Sequence, residues 1–115
     1  MRYGENVPMD KETIVRQLLF VSGIPMQHRG FLYFHSLILE AASDPECDYE
    51  KALAKVAAIF EIGIPELDWV LRHNLYYAWE QAVGKNLVFG DKRMEPEEFV
   101  SRVLELLHQY YQPGK

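Results

Sequence analysis

The sequence is poor in cysteine and has no long hydrophobic run. Its single cysteine, Cys47, excludes an internal disulfide bond. No apolar stretch approaches the roughly 20 residues that a membrane-spanning helix needs. The amino-terminal residues are polar and include Pro8, which is unlike a signal peptide. These absences together predict a cytoplasmic protein without a membrane partner.

Catalytic and metal-binding patterns are also missing from the sequence. There is no Ser/His/Asp order typical of a hydrolase, no glycine-rich phosphate loop and no H-E-x-x-H motif. No two histidines stand four residues apart, and no Cys/His cluster occurs, so a zinc site is not expected. We therefore expect no catalytic residue, no metal, no cofactor and no small-molecule substrate.

Acidic residues outnumber basic ones, and the formal net charge is −5. This balance argues against non-specific binding to nucleic acid, which needs a basic surface. The charge is uneven along the chain: residues 1–48 carry −3, residues 49–93 carry zero and residues 94–115 carry −2. The middle of the chain is therefore the least acidic part, although it is not basic.

Apolar residues recur at three- and four-residue steps along most of the 115 residues. This spacing predicts an all-α domain spanning 1–115, with five main helices at about 10–22, 27–42, 48–60, 65–83 and 95–112. Residues 1–9 are expected to be a loose arm, and residues 84–94 a loop or a small hairpin. The second helix is apolar on nearly all sides, so we expect it to be the central one.

Residues 57–79 predict two helices joined by a tight turn. The turn falls at residues 61–64, where Gly63 can adopt a positive φ, and Pro65 suits the first position of the next helix. The expected buried residues of that helix are Leu67, Val70, Leu71, Asn74, Leu75 and Ala78. Such a corner is either plain packing or the DNA-reading helix-turn-helix, here covering residues 48–83.

Three blocks of the sequence resemble one known family. They are GIPMQHRGFLYFHSLI at 23–38, VLRHNLYYAW at 70–79 and LVFGDKRMEPEEFVSRVLELL at 87–107. They are similar to the C-terminal effector domain of the sporulation initiation response regulator, a bacterial transcription factor. The resemblance implies a six-helix, winged-helix-like fold of the response-regulator effector type, with helices three and four as the DNA-binding pair. It also implies that the receiver domain is absent.

The resemblance also implies candidate DNA-binding residues. Arg72 and His73 keep the residue types of the family, whereas Glu66, Asp68 and Trp69 stand where the family has a basic, an acidic and a basic residue. Acidic side chains face a polyanion unfavourably, although a carboxylate can accept a hydrogen bond from cytosine. The full candidate set is Glu66, Asp68, Trp69, Arg72, His73 and Tyr76 on the fourth helix, with Lys51, Lys55, Arg29 and Lys85 as flanking phosphate contacts.

Two of these residues have a second interpretation. Arg72 can contact DNA, or it can pair with Asp68 four residues earlier on its own helix. Trp69 shares a stripe with His73 and Tyr76 that suits a protein contact, but we favour its packing on a neighbouring helix. The sequence thus leaves two functions open. One is a DNA-binding transcription-regulatory domain, dimeric on paired half-sites; the other is a degenerate relative that binds a partner regulator or itself.

Overall fold

The structure, a computed structural model, describes residues 10–81, 87–90 and 92–111. Within these ranges there are five α-helices and no strand, which confirms the all-α prediction. The resemblance implies six helices, and the described residues contain five. The helices are α1 (Lys11–Val21), α2 (Arg29–Ser43), α3 (Tyr49–Phe60), α4 (Ile64–Gln81) and α5 (Pro96–Tyr110). The predicted arm at residues 1–9 and the predicted end of the fourth helix at residue 83 lie outside the described residues.

Helix α2 is the centre of the fold, as its sequence predicts, because it packs against all four other helices. Phe34, Leu37 and Ile38 are fully buried on it. The Phe34 ring meets Phe99 of α5 edge-on, with 5.0 Å between the ring centroids. The helix begins two residues later than predicted, because His28 still has an extended backbone and serves as the N-cap.

Aspartates start two of the helices. The side chain of Asp10 accepts a hydrogen bond of 2.8 Å from the backbone N–H of Thr13 at the start of α1. Asp48 accepts one of 2.8 Å from the N–H of Lys51 at the start of α3. Each bond satisfies a backbone donor that the first helical turn leaves without an intrahelical partner, so the predicted starts are confirmed.

The turn between α3 and α4 differs from the prediction in one respect. The left-handed residue is Glu61, with φ 56°, and not Gly63. The chain reverses immediately after α3, where the N–H of Ile62 donates to the carbonyl of Ala57 at 3.0 Å. This closing bond requires its left-handed residue at the helix end, one position before Ile62. Pro65 is accordingly the second residue of α4 rather than the first.

Helix α4 buries the face that the sequence predicts, with Leu67, Val70, Leu71, Leu75 and Ala78 buried and Asn74 half-buried. It lies close to α2 because Gly30 has no side chain. A Cβ placed on Gly30 would lie 2.2 Å from Cγ of Asn74, far inside ordinary contact distance. This close approach fixes which side of α4 faces away from the core.

The segment before α5 adds two side chains to the core. Residues 87–89 form a turn in which Val88 and Phe89 are buried. The Phe89 ring lies between Trp79 and Phe99, with centroid distances of 5.7 Å and 5.6 Å. Of the predicted loop or hairpin at 84–94, residues 84–86 and 91 lie outside the described residues. Helix α5 then begins after the N-cap Glu95, where the sequence predicts it.

Candidate interaction surface

The exposed side of α4 carries aromatic residues, and it extends to the start of α2, where the Tyr77 ring contacts the N-cap His28 at 5.8 Å between ring centroids. Trp69 is 58% exposed, Tyr76 50% and Tyr77 44%, and His73 is also exposed. We call Trp69, Arg72, His73, Tyr76 and Tyr77 the outer face of α4. Tryptophan and tyrosine side chains are enriched where proteins bind one another. The outer face is therefore the first candidate for a functional site.

Trp69 does not pack on a neighbouring helix, so the interpretation favoured from the sequence is wrong. Its ring stacks on His73 of the same helix, with 3.7 Å between centroids and 30° between the planes. The Nδ1 atom of His73 also donates to the carbonyl oxygen of Trp69 at 3.0 Å. Leu67 is fully buried, and a step of two residues turns about 200° around an α-helix. Trp69 therefore lies on nearly the opposite side of α4 from Leu67 and faces solvent.

Arg72 is held by two carboxylates. Its Nε donates to Oδ2 of Asp68 at 2.7 Å, and its Nη1 donates to Oε1 of Glu95 at the start of α5. The bond to Asp68, followed by the bond to Glu95, raises the pKa of Arg72 above its ordinary value. Of the two interpretations of Arg72, the pairing with Asp68 is present. The further partner Glu95 is 23 positions away and was not expected.

The charge on α4 is negative overall. The helix contains three acidic residues, Glu66, Asp68 and Glu80, against the single basic residue Arg72. Glu66 is partly compensated by Arg29 of α2, whose Nη1 lies 3.7 Å from Oε2 of the glutamate. The outer face thus combines aromatic rings with a net negative helix, and its one guanidinium already has two anionic partners.

An acidic cleft opens beside the outer face, between the first turns of α3, α4 and α5. Its volume is about 520 Å³. Four acidic residues line it, Glu50, Asp68, Glu95 and Glu97, together with Arg72. The other lining residues are Tyr49, Leu53, Ile64, Pro65 and Pro96. With four negative groups and one positive group, the lining has a net charge of −3, and we call this site the acidic cleft.

Tyr49 contributes a hydroxyl group to this region. The oxygen is buried and has no hydrogen-bond partner among the described residues. Burial, with a smaller contribution from the nearby charge of Asp68, raises the pKa of Tyr49 above its ordinary value. The side chain is therefore a neutral phenol at physiological pH.

A smaller cleft of about 260 Å³ lies on the other side of the bridge between Arg72 and Glu95. Tyr76, Arg93 and Met94 are among the residues that line it. The guanidinium of Arg93 lies over the Tyr76 ring, 5.6 Å from its centroid. A ring of the outer face thus already contacts a cation within the protein itself.

The basic residues predicted to flank the DNA are not gathered on the outer face. Lys55 pairs with Glu40 of α2 at 3.8 Å, so it lies on the α2 side of α3. Lys51 is four residues before Lys55 and shares that side, whereas Glu50 faces the acidic cleft. Arg29 reaches α4 through its pair with Glu66. Lys85 lies outside the described residues.

The sequence did not identify Glu50, Glu95 and Glu97 as part of a site. The E-P-E-E pattern does predict a helix start, and Glu95 and Glu98 form the reciprocal capping bonds of α5. That pattern does not reveal which helix the capped end approaches. The acidic cleft needs three helix starts to meet, and no local signal in the sequence predicts such a meeting.

Comparison with known proteins leaves the site to be interpreted from its own geometry. No protein-family model matches the chain, and no curated protein matches it either. No helix among the described residues has both the length and the apolar character to cross a membrane. Within residues 10–81, 87–90 and 92–111, no three His, Cys, Asp or Glu side chains are grouped to hold a metal ion. Fold and site together define an all-α domain with an aromatic, acidic surface on α4.

Proposed function

We propose that this chain is a non-catalytic protein-binding module, and that the outer face of α4 is its contact surface. The observation that carries the proposal is the state of Arg72, the only basic residue of α4, which two carboxylates already engage. By resemblance to the effector domain of the sporulation initiation response regulator, the partner is a regulator of that type, whose activity the module modulates.

Electrostatics supports protein binding over DNA reading. A DNA-binding surface gains affinity from each lysine or arginine that displaces counterions from a phosphate. On α4 three carboxylates oppose one guanidinium, and Lys51 and Lys55 point to another side of the domain. By contrast, the exposed ring of Trp69 offers the large apolar contact that dominates protein interfaces.

A salt titration with labelled duplex DNA tests this proposal. Fluorescence anisotropy is measured from about 200 mM down to about 50 mM salt, where phosphate contacts strengthen most. We expect no binding at any salt concentration. A parallel titration replaces the DNA with a DNA-binding regulator of the sporulation type, and we expect binding that Trp69→Ala weakens and Trp69→Phe largely preserves. DNA binding at low salt without regulator binding would overturn the proposal.

The second candidate function is DNA-binding transcription regulation. It is favoured by the three-residue connection between α3 and α4, which leaves α4 facing solvent with Arg72 and His73 exposed. If this candidate is correct, the same titration detects DNA binding that weakens steeply with salt. Arg72→Gln then reduces the affinity for DNA, and the slope of the logarithm of the binding constant against the logarithm of the salt concentration becomes shallower by about one.

A further inference from the structure

The acidic cleft identifies the chemistry of the partner. We propose that it receives an arginine or lysine side chain from a basic, amphipathic segment of the partner protein, while the apolar side of that segment packs on the outer face of α4. This inference rests on the proposed protein-binding function, and it adds the charge of the partner and the place where that charge is bound.

The lining of the cleft suits a long cationic side chain. Glu50 and Glu97 form no ion pair with another described residue, so two of its four carboxylates are available to a cation. The apolar residues of the lining match the methylene stem that lysine and arginine carry behind their charge. The volume of about 520 Å³ lies within the range of roughly 300–1,000 Å³ that is usual for ligand pockets.

The aromatic part of the surface favours the same kind of partner. On the outer face, the guanidinium of Arg93 lies over the Tyr76 ring at 5.6 Å from its centroid. Tryptophan is the side chain that attracts a cation most strongly through its ring face. Trp69 is 58% exposed and lies one residue after Asp68 of the acidic cleft, so a second cation of the partner has a ring to contact.

Charge also decides against a second copy of this chain as the partner. Two copies that met through this surface would bring two net negative clefts together, and like charges across an interface cost affinity. The net charge of −5 repels further copies at longer range. A basic segment is attracted both at the interface and at longer range, so the partner is a basic segment and not a second copy of this chain.

The test uses the complete chain, labelled with ¹⁵N, and a synthetic amphipathic helix of leucine and lysine as the probe. Nuclear magnetic resonance locates the contact, and anisotropy of the labelled peptide gives the affinity. We expect shifts at the acidic cleft and on the outer face, and no binding of the matched peptide in which glutamate replaces lysine. Contact elsewhere, no binding of the lysine peptide, or equal binding of the glutamate peptide would overturn the inference.

Paired neutralisations separate the cleft from bulk charge. Glu50→Gln with Glu97→Gln removes two charges from the cleft, and we expect the affinity for the lysine peptide to fall about tenfold, a few-fold for each exposed ion pair lost. Glu12→Gln with Glu105→Gln removes the same charge from positions that do not line it, and we expect a change of less than about twofold. An equal loss with both pairs would show that only net charge matters and would refute the proposal.

Three further readouts distinguish this inference from the proposed function and from a homodimer. If Trp69→Ala weakens regulator binding while Glu50→Gln with Glu97→Gln does not, the outer face binds a partner, and the binding of a cationic side chain in the acidic cleft is refuted. If the chain binds duplex DNA and no regulator, the proposed function fails first. Light scattering that showed a dimer disrupted by Trp69→Ala would assign the surface to a second copy and overturn the basic partner.

Discussion

The close approach of α2 and α4 leads to a sharp prediction at Gly30. A Cβ at this position would lie 2.2 Å from Cγ, 2.3 Å from Nδ2 and 2.6 Å from Oδ1 of Asn74. Ordinary contacts between carbon atoms lie at about 3.5–4.0 Å, so the two groups must separate by more than about 1 Å. Gly30→Ala therefore forces either the Asn74 side chain or the whole of α2 to move.

The magnitude follows from two opposing effects. Forcing extra volume into a packed contact costs about 1–3 kcal/mol, and replacing a helical glycine by alanine returns about 0.5–1 kcal/mol. Gly30→Ala alone should thus lower the free energy of unfolding by about 1–2 kcal/mol. Asn74→Ala removes both the obstacle and an Oδ1 atom that is buried without a partner among the described residues. In that background Gly30→Ala should instead stabilise by about 0.5–1 kcal/mol.

A double-mutant cycle measures the coupling between the two positions. Urea unfolding followed by circular dichroism gives the free energy of unfolding of the native chain, both single variants and the double variant. The expected coupling energy is about 2 kcal/mol, well above the additivity error of about 0.5 kcal/mol for independent sites. If Gly30→Ala is equally destabilising in both backgrounds, the clash with Asn74 is not its cause, and the described contact between α2 and α4 is wrong.

Three further predictions concern the helix ends. Glu61→Gly should stabilise the fold by about 0.5–1 kcal/mol. A left-handed backbone costs an L-residue about 1–2 kcal/mol, and the larger chain entropy that glycine loses on folding cancels about half of the gain. A melting temperature that does not rise would contradict this prediction. Asp48→Ala should cost about 1 kcal/mol of unfolding free energy in urea because α3 loses its N-cap, whereas Asp48→Asn should cost far less; equal losses would argue against the cap. The hydrogen bond from Thr13 holds the pKa of Asp10 below its ordinary value of 3.8, so this contribution to stability is present above pH 3.8 and is lost as the pH falls through the lower folded value. Acid unfolding of Asp10→Asn should therefore depend less steeply on pH than that of the native chain, and identical slopes would refute the assignment.

Local patterns in the sequence predicted most of the fold. Asp10, Asp48 and Glu95 stand at the helix starts that they predict, because a cap is a contact within three residues of the chain. The buried face of α4 and the central position of α2 follow from the spacing and number of apolar residues. The left-handed residue was misplaced at Gly63, since composition favours glycine there while the geometry of the helix end selects Glu61.

The candidate site also has some features that the sequence predicts and others that only the tertiary structure decides. The sequence by itself determined that Trp69, His73 and Tyr76 share one side of a helix, and that Arg72 can reach Asp68, because both are consequences of the 3.6-residue turn. Only the tertiary structure decided that this side faces outward and that Glu95 also holds Arg72. The acidic cleft is likewise tertiary, since Glu50, Asp68 and Glu97 come from three helices whose first turns meet only when the core packs. No periodicity within one helix contains that information.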